Sequence, residues 1–271
     1  SIEVRDLTKE FNGFKAVDKI SFVVKSGEIF GLLGPNGAGK TTTIRMLTGI
    51  FKPSGGTASV GGYDMQRDML KAKQLMGIVP EMTNAYEDLS ALMNLSLMGE
   101  LYGMRKRERK EKAENLLSLF GLYERRNSKV KTFSKGMRQR LIVAMGLIND
   151  PRLLFLDEPT AGLDVESVRL IRRLVKDFNN KGTTIILTTH NIEEANQLCD
   201  RVAIMNHGRI IAVDSPERLK STFQSTASIE VAFDKEVKPD ELLFGDAVTE
   251  VKKVGDKIRL YSRETGEVIP M

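Results

Sequence analysis

Several residues of this chain stand where phosphate chemistry needs them. Gly34 to Thr41 fits G-x-x-x-x-G-K-[ST], within the run GPNGAGKTT. Glycines at those positions let the backbone curl with its N–H groups pointing inward at an anion. Lys40 supplies a point charge for the β- and γ-phosphates, and the Thr41 hydroxyl can ligate magnesium. Asp157 and Glu158 directly follow the apolar run Leu153–Leu156. An aspartate there can hold magnesium, directly or through water. A glutamate beside it can take a proton from an attacking water. Ser134 and Gly136 lie in FSKGM, at the start of a helical pattern, where a serine, a glycine and an open helix end make a second phosphate site. His190 ends the β-branched run Thr183–Thr189.

The flanking elements must hold these groups together. Ile29, Phe30, Leu32 and Leu33 form a short apolar run without polar alternation, as in a strand covered on both faces. The helix after the phosphate loop, with Ile44, Leu47 and Phe51 at helical spacing, turns its positive end toward the same anion. Gly34, Asp157 and His190 each end a buried strand, and the carboxyl edge of a parallel sheet is where ligands bind. Residues 1–25 read as two strands about an Asn12-Gly13 turn. Phe11 and Phe14 flank that turn, and either can pack in the core or offer a stacking face to an adenine ring. Glycine-bounded Thr57–Val60 reads as a short strand, and Lys73–Val79 leads into another that ends at Pro80-Glu81.

From Met82 strand signals vanish, and Leu, Met, Glu, Lys and Arg recur at helical spacing to Val130, as in an inserted helical subdomain. Its charge run RKRERKEK (105–112) reads as a solvated helix face. A membrane-surface or nucleic-acid patch is the sharper alternative, weakened by the interleaved glutamates. Val168, Ile171, Val175 and Phe178 form a helix face that ends near Gly182. Arg201–Val213 reads as a hairpin turning at His207, and Ser215-Pro216 starts a short helix. Alternation returns with Ile229, Val231 and Phe233, then Val251, Val254, Ile258 and Leu260, with Gly255-Asp256 as a turn. Residues 226–271 thus form a small β-rich annex to a main domain of residues 1–225.

Composition narrows the class. With 271 residues, 41% of them hydrophobic, the chain can build one large domain plus an annex. Its 41 Lys and Arg against 36 Asp and Glu give +5, a mild basic excess compatible with nucleic acid, a membrane surface or nothing in particular. A single cysteine, Cys199, forbids an internal disulfide and fits a reducing compartment as a buried thiol. No apolar run is long enough to span a bilayer, and the first residues lack secretory character.

Taken in order, GPNGAGKTT (34–42), FSKGM (133–137), LLFLDE (153–158), AGLD (161–164) and His190 resemble the nucleotide-binding domain of ATP-binding-cassette (ABC) transporters, over roughly Ile2 to Ser221. The resemblance implies a P-loop NTPase fold of the α/β class. Its mixed sheet is flanked by helices, and an antiparallel β subdomain and a helical subdomain at about 82–137 complete it. It implies that two such domains sandwich ATP head to tail, each nucleotide touching one protomer's phosphate loop and the other's signature. Carried over, Phe11, Gly34, Pro35, Asn36, Gly37, Ala38, Gly39, Lys40, Thr41, Thr42, Ser134 and Gly136 are expected to contact ATP. Glu158, His190 and Lys40 are expected to serve hydrolysis. Thr41, Asp157 and Glu81 would hold Mg2+, and Asp164 and Glu81 would couple the site to its partners. The resemblance favours Phe11 over Phe14 as the adenine platform.

Two departures stand out. The family signature usually reads LSGGQ, and here Phe133, Lys135 and Met137 replace three letters. Glu81 stands where the family carries a glutamine, in a setting like that of the export-type branch. The expected protein is an ATPase subunit that dimerises on ATP with itself or a similar chain. It would power separate transmembrane permease subunits from the cytoplasmic face of the membrane, without nucleic acid. A soluble cassette ATPase of DNA maintenance or translation is the rival. It would need long coiled-coil arms or a second cassette, and the sequence has neither.

Overall fold

The structure, a computed structural model, describes residues 1–81, 85–224, 227–231, 248–254 and 257–262. It divides into two compact units, Ser1–Val213 and Asp214–Met271. In the first, β1 (Ile2–Phe11) and β2 (Phe14–Val24) lead into β3 (Ile29–Leu33), the phosphate loop and α1 (Lys40–Leu47). Next come β4 (Gly55–Val60), β5 (Tyr63–Asp64), α2 (Met69–Gln74) and β6 (Met76–Val79). The helical insertion holds α3 (Ala91–Leu101), α4 (Lys106–Leu119) and α5 (Lys135–Gly146). The chain returns through β7 (Leu153–Asp157), α6 (Val165–Asn180), β8 (Thr184–Thr189), α7 (Ile192–Leu198), β9 (Arg201–Asn206) and β10 (Arg209–Asp214).

Two sheets organise this unit. One is antiparallel in the order β2-β1-β4-β5. Ile2 and Val4 point inward two residues apart, but Leu7 follows after three. Asp6 at φ 47° makes the difference, because an extra residue at an irregularity in the pairing restores the inward face. Lys19, at φ 50°, sits opposite between Val17 and Ile20. The second sheet runs β10-β9-β3-β8-β7-β6, with β6, β7, β8, β3 and β9 parallel. Every residue of β7 and β8 is buried, which explains runs without polar alternation. Phe22 of β2 stacks on Phe30 of β3 with centroids 5.3 Å apart, joining the two sheets in one core.

The helices show the same local logic. α6 buries Ser167, Ile171, Leu174 and Val175, and Asp164 caps its start by accepting from the Ser167 N–H at 2.8 Å. Burying each of its aliphatic side chains contributes about 1.5–3 kcal/mol. α1 is shorter than the apolar spacing suggests: it ends at Leu47, so Phe51 packs on the core from beyond the helix. α2 carries only one buried residue, Ala72, and gave no periodic signal in the sequence. In the insertion, Asn94 is wholly buried, and its amide bonds both the N–H and the carbonyl of Tyr86, fastening the segment before α3.

In the second unit, Ser215 precedes α8 (Pro216–Gln224) and accepts from the Leu219 N–H. Then β11 (Ala227–Val231), β12 (Val248–Val254) and β13 (Lys257–Ser262) pair antiparallel in the order β11-β13-β12. Ile229 and Val251 both register with Leu260. Met82, Phe233 and the Gly255-Asp256 turn lie outside the described residues.

Candidate active site

Parallel register brings the strand ends together. Leu33 pairs with Thr189, and Asp157 with Thr188, so β8 lies between the phosphate-loop strand and the strand of the two carboxylates. The Gly34 N–H donates to the Thr189 carbonyl at 3.3 Å, pinning the loop to that central strand. Gly39 closes the loop at φ 102°, where a side chain would be strained and would also strike the Ala16 carbonyl.

Charged groups converge on this edge. The Lys40 ammonium donates to the carbonyls of Gly34 at 2.7 Å and Pro35 at 3.1 Å. It also stands 3.3 Å from Glu158 Oε1, close enough to pair by charge but without hydrogen-bond geometry. Glu158 Oε2 lies 2.9 Å from His190 Nδ1. Glu158 is only 9% exposed, and its backbone sits at φ 50°, left-handed geometry that costs a residue with a side chain. Its N–H donates to the Thr188 carbonyl and hydroxyl, at 3.2 and 3.0 Å, which anchors the strained turn.

Asp157 accepts at Oδ1 from two hydroxyls, Thr41 at 3.0 Å and Thr188 at 2.6 Å. Burial pushes its carboxyl above the usual range, and the two hydroxyls partly oppose that rise. Thr188 is therefore a site residue that the sequence reading missed. Its signal was a pair of threonines ending a strand whose middle is aliphatic.

A cavity of about 430 Å³ runs along the loop from Asn36 to Thr42, bounded by Phe14, Ala16, Glu81 and Glu158. Phe14 is 67% exposed and lines it. Phe11, favoured by the resemblance, is not in its wall. That ring stands edge-on to Phe51 with centroids 5.5 Å apart and Lys9 over its face. Of the two aromatics, Phe14 and not Phe11 lines the cavity in this structure. Glu81 lines the same cavity.

The donor set suits a hard cation. Thr41 and Asp157 offer oxygens from one hydrogen-bonded pair, and Glu81 borders the same space. Among the described residues no three His, Cys, Asp or Glu side chains cluster as a self-sufficient metal site, so phosphate oxygens and water would complete the coordination.

Ser134 and Gly136 lie elsewhere. The Ser134 hydroxyl caps α5 by accepting from the Met137 N–H at 3.2 Å. Gly136 is pressed against α6, where a Cβ would come within 2.4 Å of Ser167 Oγ and 2.7 Å of Asp164 Oδ2. Neither residue lines the phosphate-loop cavity. Asp164 spends its carboxylate on the Ser167 N–H and hydroxyl, and these bonds hold it below the usual carboxylate range. Cys199 is buried, with its thiol pushed far upward by desolvation, and Gly31 leaves room for its sulfur. His207 holds the β9–β10 turn, as its sequence setting suggested.

A glycine-rich loop at a helix start, a lysine, a hydroxyl–aspartate pair and a strand-end glutamate define a P-loop nucleoside triphosphatase. Residues 17–161 match the family described as ABC transporter. Over 225 residues the chain is 42% identical to the daunorubicin/doxorubicin resistance ATP-binding protein DrrA of Streptomyces peucetius, covering 83% of this chain and 68% of that one. It is 36% identical over 268 residues to the Nod factor export ATP-binding protein I of Cupriavidus metallidurans, covering 99% and 88%. Among solved structures, it resembles an ATP-binding subunit of an ABC transporter with a TM-score of 0.75 and 31% identity, covering 82% of this chain and 92% of that one. It also resembles a dimeric ATP-binding cassette in a post-hydrolysis state bound to ADP and Pi, with a TM-score of 0.74 and 25% identity, covering 80% and 99%.

The chain belongs to the ABC transporter family. It is an ATP-binding and ATP-hydrolysing subunit of such a transporter. Among the described residues no helix is long and apolar enough to cross a membrane.

Proposed function

We propose that this subunit hydrolyses Mg-ATP between two protomers and drives export through separate permease subunits at the cytoplasmic face of the membrane. The observation that carries the reading is the contact chain of Lys40, Glu158 and His190 beside the Thr41–Asp157 pair. In-line attack of water on the γ-phosphate needs positioning and charge neutralisation more than covalent chemistry. Gly34 to Thr42 cradle the phosphates. Lys40 leaves its carbonyl partners for the β- and γ-oxygens, and Glu158 takes the water's proton. His190, already at Glu158, contacts the γ-phosphate. Magnesium, when bound, would supply charge neutralisation, and Thr41 and Asp157 would hold it with Glu81 on the same cavity wall.

Ser134 and Gly136 cap the γ-phosphate of a second copy or a similar subunit, and Asp164 and Glu81 relay nucleotide state. Residues 1–225 act as the ATP-binding domain, with 226–271 as an accessory region. Export is favoured by relatives named for drug resistance and for Nod factor export.

The test is Glu158→Gln, which deletes the proton acceptor while keeping shape. ATP affinity should stay, and hydrolysis should fall by about two or more orders of magnitude. Single-turnover hydrolysis near the wild-type rate would remove Glu158 from this role.

A further inference from the structure

Glu81 and Glu158 border a second, smaller cavity of about 320 Å³ as well as the phosphate-loop cavity. Its remaining wall is Lys135, Arg138, Gln139 and Ala161. Gln139 is 7% exposed, and its Nε2 has no hydrogen-bond partner among the described residues. A buried amide donor left unpaired costs free energy, so it persists where something from outside completes it. Lys135 forms no ion pair among the described residues. Its ammonium lies over Gly162, where a Cβ would come within 2.5 Å.

Arg138 is committed elsewhere. Its guanidinium donates to the Phe133 carbonyl at 3.1 Å, Glu87 at 3.1 Å and the Lys131 carbonyl at 3.3 Å. The charge of Glu158 is already met by Lys40. Beside the carboxylates of Glu81 and Glu158, whose Oε1 accepts no hydrogen bond, the uncommitted donors of this cavity are an ammonium and an amide N–H. Their complement is a small oxyanion arriving from the active site.

We propose that Lys135 and Gln139 form a release station for inorganic phosphate, in the cavity that Glu158 shares with α5. The inference rests on the ATPase reading. Attack of water breaks the bond between Pγ and its bridging oxygen, leaving ADP in the loop and an orthophosphate that must move out. A release station has to bind weakly, and the Glu81 carboxylate on the same wall opposes the anion. Lys135 stands where the usual signature has glycine, so the ammonium belongs to this chain's own version of the motif.

The test is a phosphorus NMR titration of inorganic phosphate into wild-type protein saturated with magnesium and a non-hydrolysable ATP analogue, whose γ-group fills the phosphate loop. Wild type should bind phosphate saturably, with a dissociation constant on the order of millimolar. Lys135→Ala and Gln139→Leu should each weaken binding by roughly fivefold or more, and Glu81→Gln should tighten it. Thermal melts check the fold. If Gln139→Leu does not fold, Lys135→Ala, altered at an exposed side chain, still decides the matter. Wild type that binds the analogue but no phosphate, or that binds phosphate no better than Lys135→Ala, would overturn the station. Failure of the analogue to bind wild type would overturn the ATP-site reading itself, and the station with it.

Discussion

The phosphate loop and the Ser134–Gly136 turn both place small residues at the start of a helix, yet only the first is furnished for chemistry. Around α1, groups from four segments converge: Lys40 and Thr41 from the helix, Asp157 at the end of β7 with Glu158 next to it, Thr188 from β8 and His190 beyond it. Around α5, the Ser134 hydroxyl is spent on a cap, and Gly136 is held against Asp164 and Ser167. One region can bind and cleave. The other has no glycine-rich loop of its own. That asymmetry is why the proposed mechanism takes a second protomer, because a donor surface without a nucleotide is useful only to someone else's nucleotide.

The sharpest way to break this contrast is to damage the plain-looking region and watch the furnished one fail. In a Glu158→Gln background, ATP should convert monomer to dimer, and adding Ser134→Arg should abolish the dimer by placing bulk and charge at the contact. With Glu158 intact, Ser134→Arg should lower turnover by about tenfold or more while ATP binding to the monomer persists. Light scattering with and without ATP reads the first effect, and equal masses in both conditions would sink the sandwich.

A smaller effect sharpens the boundary of the furnished region. Phe14 lines the phosphate-loop cavity and Phe11 packs on Phe51, so Phe14→Ala should weaken ATP and GTP alike, by about 1–3 kcal/mol if it stacks on the base. Phe11→Ala should then weaken binding less and lower thermal stability instead. The reverse order in a nucleotide titration would restore Phe11 as the platform and show that the hairpin rearranges on binding.

The smallest effect concerns Glu81, which borders the cavities of both regions. At about 5 Å and an effective dielectric of about 20, one unit-charge pair is worth roughly 3 kcal/mol before desolvation. Repulsion from Asp157, Glu158 and the triphosphate reduces that gain. Glu81→Gln should raise the magnesium needed for half-maximal ATPase and leave the saturated rate within about tenfold. Superimposable magnesium titrations would confine Glu81 to coupling.

The residues that meet phosphate were legible because their signals are local. A loop of glycines before a helix, and acids at the end of an apolar run, are confined to a few neighbouring positions, and backbone chemistry alone gives them meaning. So were β3, β7 and β8, whose apolar runs lack polar alternation because both faces are covered, and the α6 face, whose periodic pattern matches one covered side. Tertiary structure decided the rest. Phe11 and Phe14 are register partners across the turn, so alternation puts them on one face of the hairpin. Only Phe51, arriving from beyond α1, sets the ring that packs on it apart from the more open one. Thr188 looked like one more β-branched strand residue until β8 was found between β3 and β7, which sets its hydroxyl on Asp157. Gln139 has no local signal, and its significance lies in the Glu81 and Glu158 walls that packing brings opposite. The sequence determined which groups could do chemistry, because that depends on residue type and near neighbours. Strand order and packing determined which of them meet, because contact between distant segments is settled by the burial of whole elements rather than by any one residue's spacing.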